Sequence, residues 1–314
     1  MLGCRDAKMT GGGAAEGARR CGFVALLGAP NSGKSTLLNR LVGAKISIVT
    51  HKVQTTRSRI RAIAISGASQ IVFVDTPGIF TPKRRLERAM VAAAWSGAQD
   101  ADEVVLLYDA ARRAIDPDTR LIVDGLGKRG RTAVLALNKI DLIERAKLLE
   151  LAARFEAEGV FARVFMISAL NGDGVDDLRR HLAGRMPEGP WHYPEDQLTD
   201  LPERLLAAEV TREKLFLNLH QELPYALTVE TEGWQDFDDG SARIEQVITV
   251  ARAGHKGICL GKGGRTIKAV REAAQRDLEE MLGRKVHLFL FVKVRENWLE
   301  DPARYRALGL EFDV

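Results

Sequence analysis

Cysteine is scarce in this 314-residue chain. Its three residues, Cys4, Cys21 and Cys259, are odd in number, far apart and in no Cys-x-x-Cys pair. That spacing excludes a disulfide-stapled scaffold and a thiolate zinc site, and it fits a reducing compartment. The six histidines form no His-Glu-x-x-His or similar cluster, so a histidine-built metal site has no candidate ligands. Long apolar runs are missing too. The longest, such as 132–137 and 286–292, fall well short of the roughly 20 residues a bilayer-crossing helix needs. The opening MLGCRDAKMTGGGAAEGARR has no apolar centre of the kind a secretory signal requires. Asp6 and Glu16, with no amphipathic stripe, also weigh against an organelle-targeting peptide. Residues 1–20 read as a loose leader, with Met9 a second candidate start.

What is present describes a globular protein of about two domains: 46% hydrophobic and 28% charged residues are enough for proper cores. The net charge is only +4, yet positive charge is concentrated. Between 252 and 276 stand Arg252, Lys256, Lys262, Arg265, Lys268, Arg271 and Arg276, against the single acid Glu272. A solvated helix side gives the same run. So does a face that binds a polyanion.

From 22 to about 186, strand-like runs (23–27, 60–65, 71–74, 104–108, 133–137 and 164–167) alternate with helical patterns at 35–42, 117–127 and 145–158. Such alternation predicts an α/β unit with a mostly parallel sheet flanked by helices. The stretch MPEGPWHYPEDQLTD, with three prolines, resists both helix and central strand and reads as a linker. Beyond it the pattern predicts a helix over 201–223, strands over 226–233 and 242–250, a short helix at 255–260, a helix over 264–282 and a strand over 285–294. The expected division is a leader to 20, a nucleotide unit over 21–186, a linker over 187–200 and a second, α+β unit over 201–314.

GAPNSGKST (Gly28, Ala29, Pro30, Asn31, Ser32, Gly33, Lys34, Ser35, Thr36) follows a strand and opens a helix, which is the context a phosphate loop needs. The glycines let backbone N–H groups turn toward phosphates, the helix N-terminus adds partial positive charge, Lys34 bridges the terminal phosphates and the Ser35 hydroxyl ligates Mg2+. Asp75-Thr76-Pro77-Gly78, followed by Ile79, ends the next apolar strand. Asp75 there can hold the metal's water shell, and the Gly78 amide can meet a γ-phosphate. Asn138-Lys139-Ile140-Asp141 closes a later strand. The Asp141 carboxylate can accept from two adjacent donors, which guanine offers and adenine does not. Asn138 can bond the base's other edge or tie its loop to the phosphate loop, and the Lys139 stem can lie over the base plane. Ser168-Ala169 is the fourth strand-end loop in order, where a backbone N–H can reach the guanine oxygen. GTP and GDP with Mg2+ are the expected ligands, and an adenine nucleotide would leave Asp141 as a buried, unsatisfied charge.

These four motifs resemble the core of the translation-factor-related GTPases, and ISIVTHKVQTTRSRI at 46–60 resembles the first switch of the Era family, within the TrmE-Era-EngA-YihA-Septin-like group. There QTTR supplies a threonine to magnesium. The sequence leaves Thr55 and Thr56 as alternatives, and the pattern favours Thr56. Lys34, Thr56 and Gly78 are thus the expected catalytic set, and Ser35, Thr56 and Asp75 the expected metal set. Ras-like enzymes orient water with a glutamine where this chain has Ile79. The resemblance implies K+ recruitment through Asn31 instead. Arg57 and Arg59, a rival source of charge, read as solvated or RNA-facing.

Gly261-Lys262-Gly263-Gly264 joins two helices in the order helix, strand, strand, helix, helix, strand, and resembles the loop of a type II KH domain, which binds single-stranded nucleic acid along an apolar groove. Lys256 and Lys268 are expected on phosphates, and Ile258 and Ile267 along the groove. TREKLFLNLHQELPY, GHKGICLGKGGRTIKAV and VKVRENWLEDPARYRALGL extend the likeness to the Era family over 22–314. The resemblance implies a cytoplasmic, monomeric GTPase that binds the 3′ end of 16S ribosomal RNA and assists its processing and maturation of the 30S subunit. It also implies peripheral association with the inner membrane. The alternative is an RNA-binding chaperone whose nucleotide unit is mainly structural.

Overall fold

The computed structural model describes residues 18–314, apart from 51, 53–55, 58, 113, 221 and 222. Most of the expected leader and the alternative threonine Thr55 therefore lie outside the described residues.

Six strands form the first sheet: β1 (Arg20–Leu27), β2 (Ile60–Ser66), β3 (Ser69–Asp75), β4 (Glu103–Asp109), β5 (Ala133–Asn138) and β6 (Phe161–Met166). Their spatial order is β2-β3-β1-β4-β5-β6. Every pairing is parallel except β2 with β3. Helices α1 (Lys34–Val42) and α5 (Val175–Arg185) cover one face, where Leu37, Leu38, Leu178 and Leu182 join Val24, Phe73 and Ile60. On the other face lie α2 (Arg85–Asp100), α3 (Pro117–Lys128) and α4 (Arg145–Glu156), packed through Ala94, Ile122, Leu126, Leu151 and Phe155. Both faces are thus buried, which is why the strands read as continuous apolar runs rather than alternating ones. The consequence for function is positional. All four motif loops leave the carboxyl ends of mutually parallel strands, β3 and β1 on one side of β4 and β5 and β6 on the other, so they converge on one rim of the sheet.

The proline-rich segment after α5 is pinned along its length. The Cys21 amide donates to the Pro187 carbonyl, the Gln70 side chain receives the amides of His192 and Tyr193, and the Ile63 amide donates to the Leu198 carbonyl. These bonds carry the chain beneath β1 and β3 and along the outer strand β2.

A second sheet, β7 (Leu227–Asp236), β8 (Ala242–Val250) and β9 (Val286–Val294), has β7 antiparallel and β9 parallel to the central β8. Helices α6 (Glu203–Asn218), α7 (Ala253–Leu260) and α8 (Arg265–Leu282) supply the covering side chains, among them Ala207, Val210, Leu215, Cys259, Val270 and Leu278. The expected order of elements is present, with two differences in extent. Strand β7 continues past Gly233 because a bulge between Thr231 and Gly233 absorbs the irregularity. Helix α6 stops at Asn218, five residues before the expected end, and a 3-10 turn (Leu223–Ala226) containing Pro224 leads into β7. The final helix α9 (Pro302–Ala307) returns to the first unit, where Tyr305 and Leu310 pack on Leu86, Ala89, Met90 and Ala93 of α2.

Candidate nucleotide site and nucleic-acid interface

The phosphate loop folds as its glycines require. Gly33 adopts φ 100°, and a Cβ there would lie 2.2 Å from Nδ2 of Asn138, so any other residue would push the base-side loop away. Asn138 resolves its two alternatives toward loop tying. Its Nδ2 donates to the Ser32 carbonyl (2.8 Å) and its Oδ1 accepts from the Ala169 amide (2.9 Å). One side chain thus joins three of the four motif loops.

Lys34 is buried, and its Nζ donates to the carbonyls of Gly28 (2.9 Å) and Ala29 (3.1 Å). Burial lowers its pKa to about 8, helped by nearby Arg112 and opposed by Asp75. Arg112 was not singled out from the sequence. It reaches from the loop after β4 to the Pro30 carbonyl at 2.9 Å, and no local motif marks it.

Asp75 is fully buried. Its Oδ2 accepts from Ser47 (2.8 Å), Ser35 (3.2 Å) and Thr56 (3.2 Å), and Ser35 and Thr56 stand 3.1 Å apart. Its Oδ1 is buried with no partner. Burial raises the carboxyl's pKa, while Lys34 and the three hydroxyls pull it down. Hydroxyls and one carboxylate with an oxygen to spare form an all-oxygen donor set, which suits a hard cation such as Mg2+. Among the described residues no cluster of three or more His, Cys, Asp or Glu side chains exists, so a transition metal has no comparable set. The expected metal residues Ser35, Thr56 and Asp75 are therefore brought together. Ser47 joins them without any sequence signal.

Gly78 lies close against the phosphate loop, where a Cβ would meet the Pro30 nitrogen at 3.2 Å. Two neighbours prove to be framework: Thr76 donates its hydroxyl to the Leu26 carbonyl (2.8 Å), and Ile79 is wholly buried, its amide on the Gly28 carbonyl. A buried Ile79 can orient no water.

At the base end, Lys139 takes φ 64° and its ammonium pairs with Asp109 at 2.6 Å, which draws its stem along the pocket wall. Asp141 stands exposed on that wall rather than buried, so the unsatisfied-charge argument applies only once a base covers it. The amides expected to meet the guanine oxygen already have partners: Ser168 N–H bonds the Asp173 carbonyl and Ala169 N–H bonds Asn138. Leu142 and Leu170, 66% and 69% exposed, are apolar walls that a bound base would shield. The whole pocket holds about 600 Å³ and is lined by residues of all four motif loops together with Ile48, Val49, Thr50 and Lys52. That volume lies within the range of about 300–1,000 Å³ usual for small-ligand sites.

In the second unit, Gly261, Gly263 and Gly264 all have positive φ, and a Cβ on Gly261 would lie 2.2 Å from the Thr266 hydroxyl. Lys256, Lys262 and Lys268 are exposed around this turn. Ile267, like Leu260 and Leu290, is partly buried against the core of this unit. Ile258, 58% exposed, lines a cavity with Leu219, Leu223, His255 and Thr266.

Arg57 and Arg59 depart from expectation. Arg57 is 2% exposed, with its guanidinium on the carbonyls of Pro224 (3.0 Å) and Leu227 (2.6 Å), and Arg59 donates to the Ala93 carbonyl (3.0 Å). Neither is free in solvent: the second unit claims Arg57, while Arg59 is held within the first unit on α2.

A phosphate loop, an acidic metal-side loop and a guanine-side loop on one rim, followed by a helix–glycine loop–helix module, define a GTPase with an appended KH domain. Comparison with known proteins gives the same class. The family model for 50S ribosome-binding GTPases matches residues 23–139 and that for KH domains matches 222–299. GTPase Era of Bradyrhizobium sp. (strain ORS 278) is 59% identical over 299 residues, covering 95% of this chain and 97% of its own. That of Rhizobium meliloti (strain 1021) is 61% identical over 293 residues, 93% of each chain. Among solved structures, Aquifex aeolicus Era carrying a point substitution and bound to GDP·AlF4⁻ superimposes with a TM-score of 0.87 at 36% identity, covering 92% of this chain and 99% of that one. Era in complex with MgGDPNP and nucleotides 1506–1542 of 16S ribosomal RNA matches with a TM-score of 0.87 at 37% identity, covering 93% and 99%. The chain belongs to the Era family of GTPases, and it hydrolyses GTP.

Proposed function

We propose that the protein is a GTP-driven switch whose KH module grips the 3′-terminal stretch of 16S ribosomal RNA, in support of rRNA processing and maturation of the 30S subunit. The observation that carries this reading is the coexistence, in one chain, of the four-loop guanine pocket and the exposed basic glycine turn. The likeness to an Era structure that holds both MgGDPNP and a 16S rRNA 3′ fragment supports it. The nucleotide unit is taken as 21–186 and the RNA unit as 201–314, acting as one cytoplasmic chain per RNA end.

In this reading Ser35 and Thr56 ligate Mg2+ directly and Asp75 holds its water shell through the oxygen that has no protein partner. The ion would neutralise charge developing on the β- and γ-phosphates. Lys34 leaves the Gly28 and Ala29 carbonyls for those phosphates, and the Gly78 amide holds the γ-phosphate in line. Asn31, at φ 64°, is among the residues that line the pocket. With Ile79 buried, a monovalent cation held by Asn31 would supply the charge that other GTPases draw from an arginine. Turnover in K+ should exceed turnover in Na+ several-fold, and equal rates reject that last element. The switch itself is tested by phosphate release and by binding of a 16S 3′-end oligonucleotide, in the wild type and in Lys34→Ala. The variant should lose release by at least about 100-fold while still binding RNA. Equal release in both proteins would make the nucleotide unit a structural support only.

A further inference from the structure

Described residues of the stretch between α1 and β2, several of which line the nucleotide pocket, are docked on α6, on α8 and on the turn that leads into β7. Lys45 pairs with Glu213 (2.6 Å) and Asp277 (2.9 Å), the Val49 amide donates to Glu213 (2.9 Å), and the Lys52 ammonium donates to the carbonyls of Phe216 and Leu219 at the end of α6. Arg57 reaches deepest. Both its hydrogen-bond partners are backbone carbonyls, of Pro224 and Leu227, and its Nε is buried with no partner. The Phe216 ring has the Arg57 guanidinium 5.7 Å from its centroid and that of Arg212 at 5.1 Å. Burial, with Arg212 close by, lowers the Arg57 pKa to about 9.

A guanidinium in such a place loses its hydration and gains no directly bonded carboxylate, so it is favourable only when both carbonyls are gripped at once. Partial withdrawal leaves charge and carbonyls alike unsatisfied. The seat therefore behaves as two discrete arrangements, docked or released, rather than as a graded contact. On the preceding residue, Thr56 places its hydroxyl on Ser35 and Asp75. Consecutive Cα atoms are about 3.8 Å apart, so whatever repositions Thr56 at the nucleotide moves the anchor of Arg57. On the far side of the gripped segment, Leu219 and Leu223 wall a cavity of about 350 Å³ with His255, Ile258 and Thr266, on the two helices that flank the Gly261–Gly264 turn.

We propose that Arg57 is the coupling residue of this protein: with its neighbour on the metal-side hydroxyl cluster and its own fork on the carbonyls of Pro224 and Leu227, it transmits the nucleotide state to the wall behind the glycine loop. Arg57 is thus a positioning residue, touching neither nucleotide nor RNA. The inference rests on the switch reading above and names the device that executes it.

The test is a linkage measurement on the full chain. The affinity of a non-hydrolysable GTP analogue is determined with and without a 16S 3′-end oligonucleotide, for wild type, Arg57→Gln, Arg57→Lys and, as control, Arg59→Gln, whose side chain holds α2 only. Wild type and Arg59→Gln should show a coupling factor of at least about 5-fold. In Arg57→Gln it should fall below about 2-fold, while each ligand's separate affinity changes by less than about 3-fold. Arg57→Lys, which keeps the charge but cannot fork across two carbonyls, should fall in between. Coupling retained in Arg57→Gln overturns the proposal and leaves the switch standing. Lost affinity for one ligand with an unchanged coupling factor reduces Arg57 to a structural role and overturns it as well. Absence of coupling in the wild type overturns the switch reading and this inference together. Should the glutamine variant not fold, hydrogen exchange of the wild type replaces it. The amides of 223 and 225–227 should exchange at different rates with GDP and with the GTP analogue, RNA absent, and identical rates overturn the proposal.

Discussion

Asp141 carries the choice of base as a single exposed carboxylate on the pocket wall. Hydrogen bonds to a charged acceptor contribute about 1.5–3 kcal/mol each, and guanine offers this one two donors. Asp141→Asn should therefore weaken GDP binding by at least about 100-fold and favour xanthosine diphosphate, whose carbonyl accepts from the new amide; titration with both nucleotides decides it, and unchanged GDP affinity refutes the role. The buried thiols allow a second prediction at this scale. Burial raises the pKa of Cys259 to about 11 and that of Cys21 also upward, and thiolate is the reactive form. Neither should be alkylated by iodoacetamide in the native protein at pH 8, and both should react in urea. Because the folded-state value of Cys259 lies above the unfolded one, its contribution to stability is present below about pH 9 and is lost as pH rises toward 11. Residues whose role depends on local spacing, such as Lys34, Ser35, Asp75 and Asn138, were legible in the sequence. Ser47 and Arg112 were not, since distant loops deliver them and no spacing rule connects them to the motif. Arg57 was misread because a charged side chain in a polar loop reads as solvated until the second unit is seen to enclose it.

Among the elements, α6 shows how packing overrides a one-face pattern. Leucines at helical spacing predict one buried stripe, yet Glu209, Thr211, Arg212 and Glu213 are buried as well, because the switch-side segment covers the face a free helix would show to water. The acids there pair with Arg212 and Lys45, as burial of charge demands. The strands of the first unit were readable from their apolar runs. Helices α2 and α5 escaped the pattern, α2 because its buried face is largely alanine and glycine (Ala89, Ala93, Ala94, Gly97, Ala98), which carries little hydrophobic contrast. Its Leu86, Ala89, Met90 and Ala93 receive Tyr305 of α9. Tyr305, 2% exposed, packs on α2 and against Phe312 with ring centroids 4.9 Å apart. Tyr305→Ala should cost about 3 kcal/mol, seen as a lowered urea midpoint or, if α9 detaches alone, as faster amide exchange in 302–307. A midpoint and exchange both unchanged would mean that the contact contributes nothing to the fold.

For the whole molecule, the two units meet through the same polypeptide that walls the nucleotide pocket, and through α9 on α2, the helix that follows the Asp75 loop. No helix among the described residues is long and apolar enough to cross a membrane. The joint is the feature least legible in the sequence: it depends on contacts between residues more than 150 positions apart, such as Arg57 with Leu227, which no local pattern encodes. The first of these contacts starts from residues beside the nucleotide pocket, and any influence that pocket occupancy exerts on the glycine-turn groove is returned by the same factor. Reciprocal titration of the intact protein tests this most directly, measuring GTP-analogue affinity at saturating RNA and RNA affinity at saturating GTP analogue. The account predicts that both rise by one common factor, whereas two ligands that each bind with an affinity indifferent to the other would contradict it.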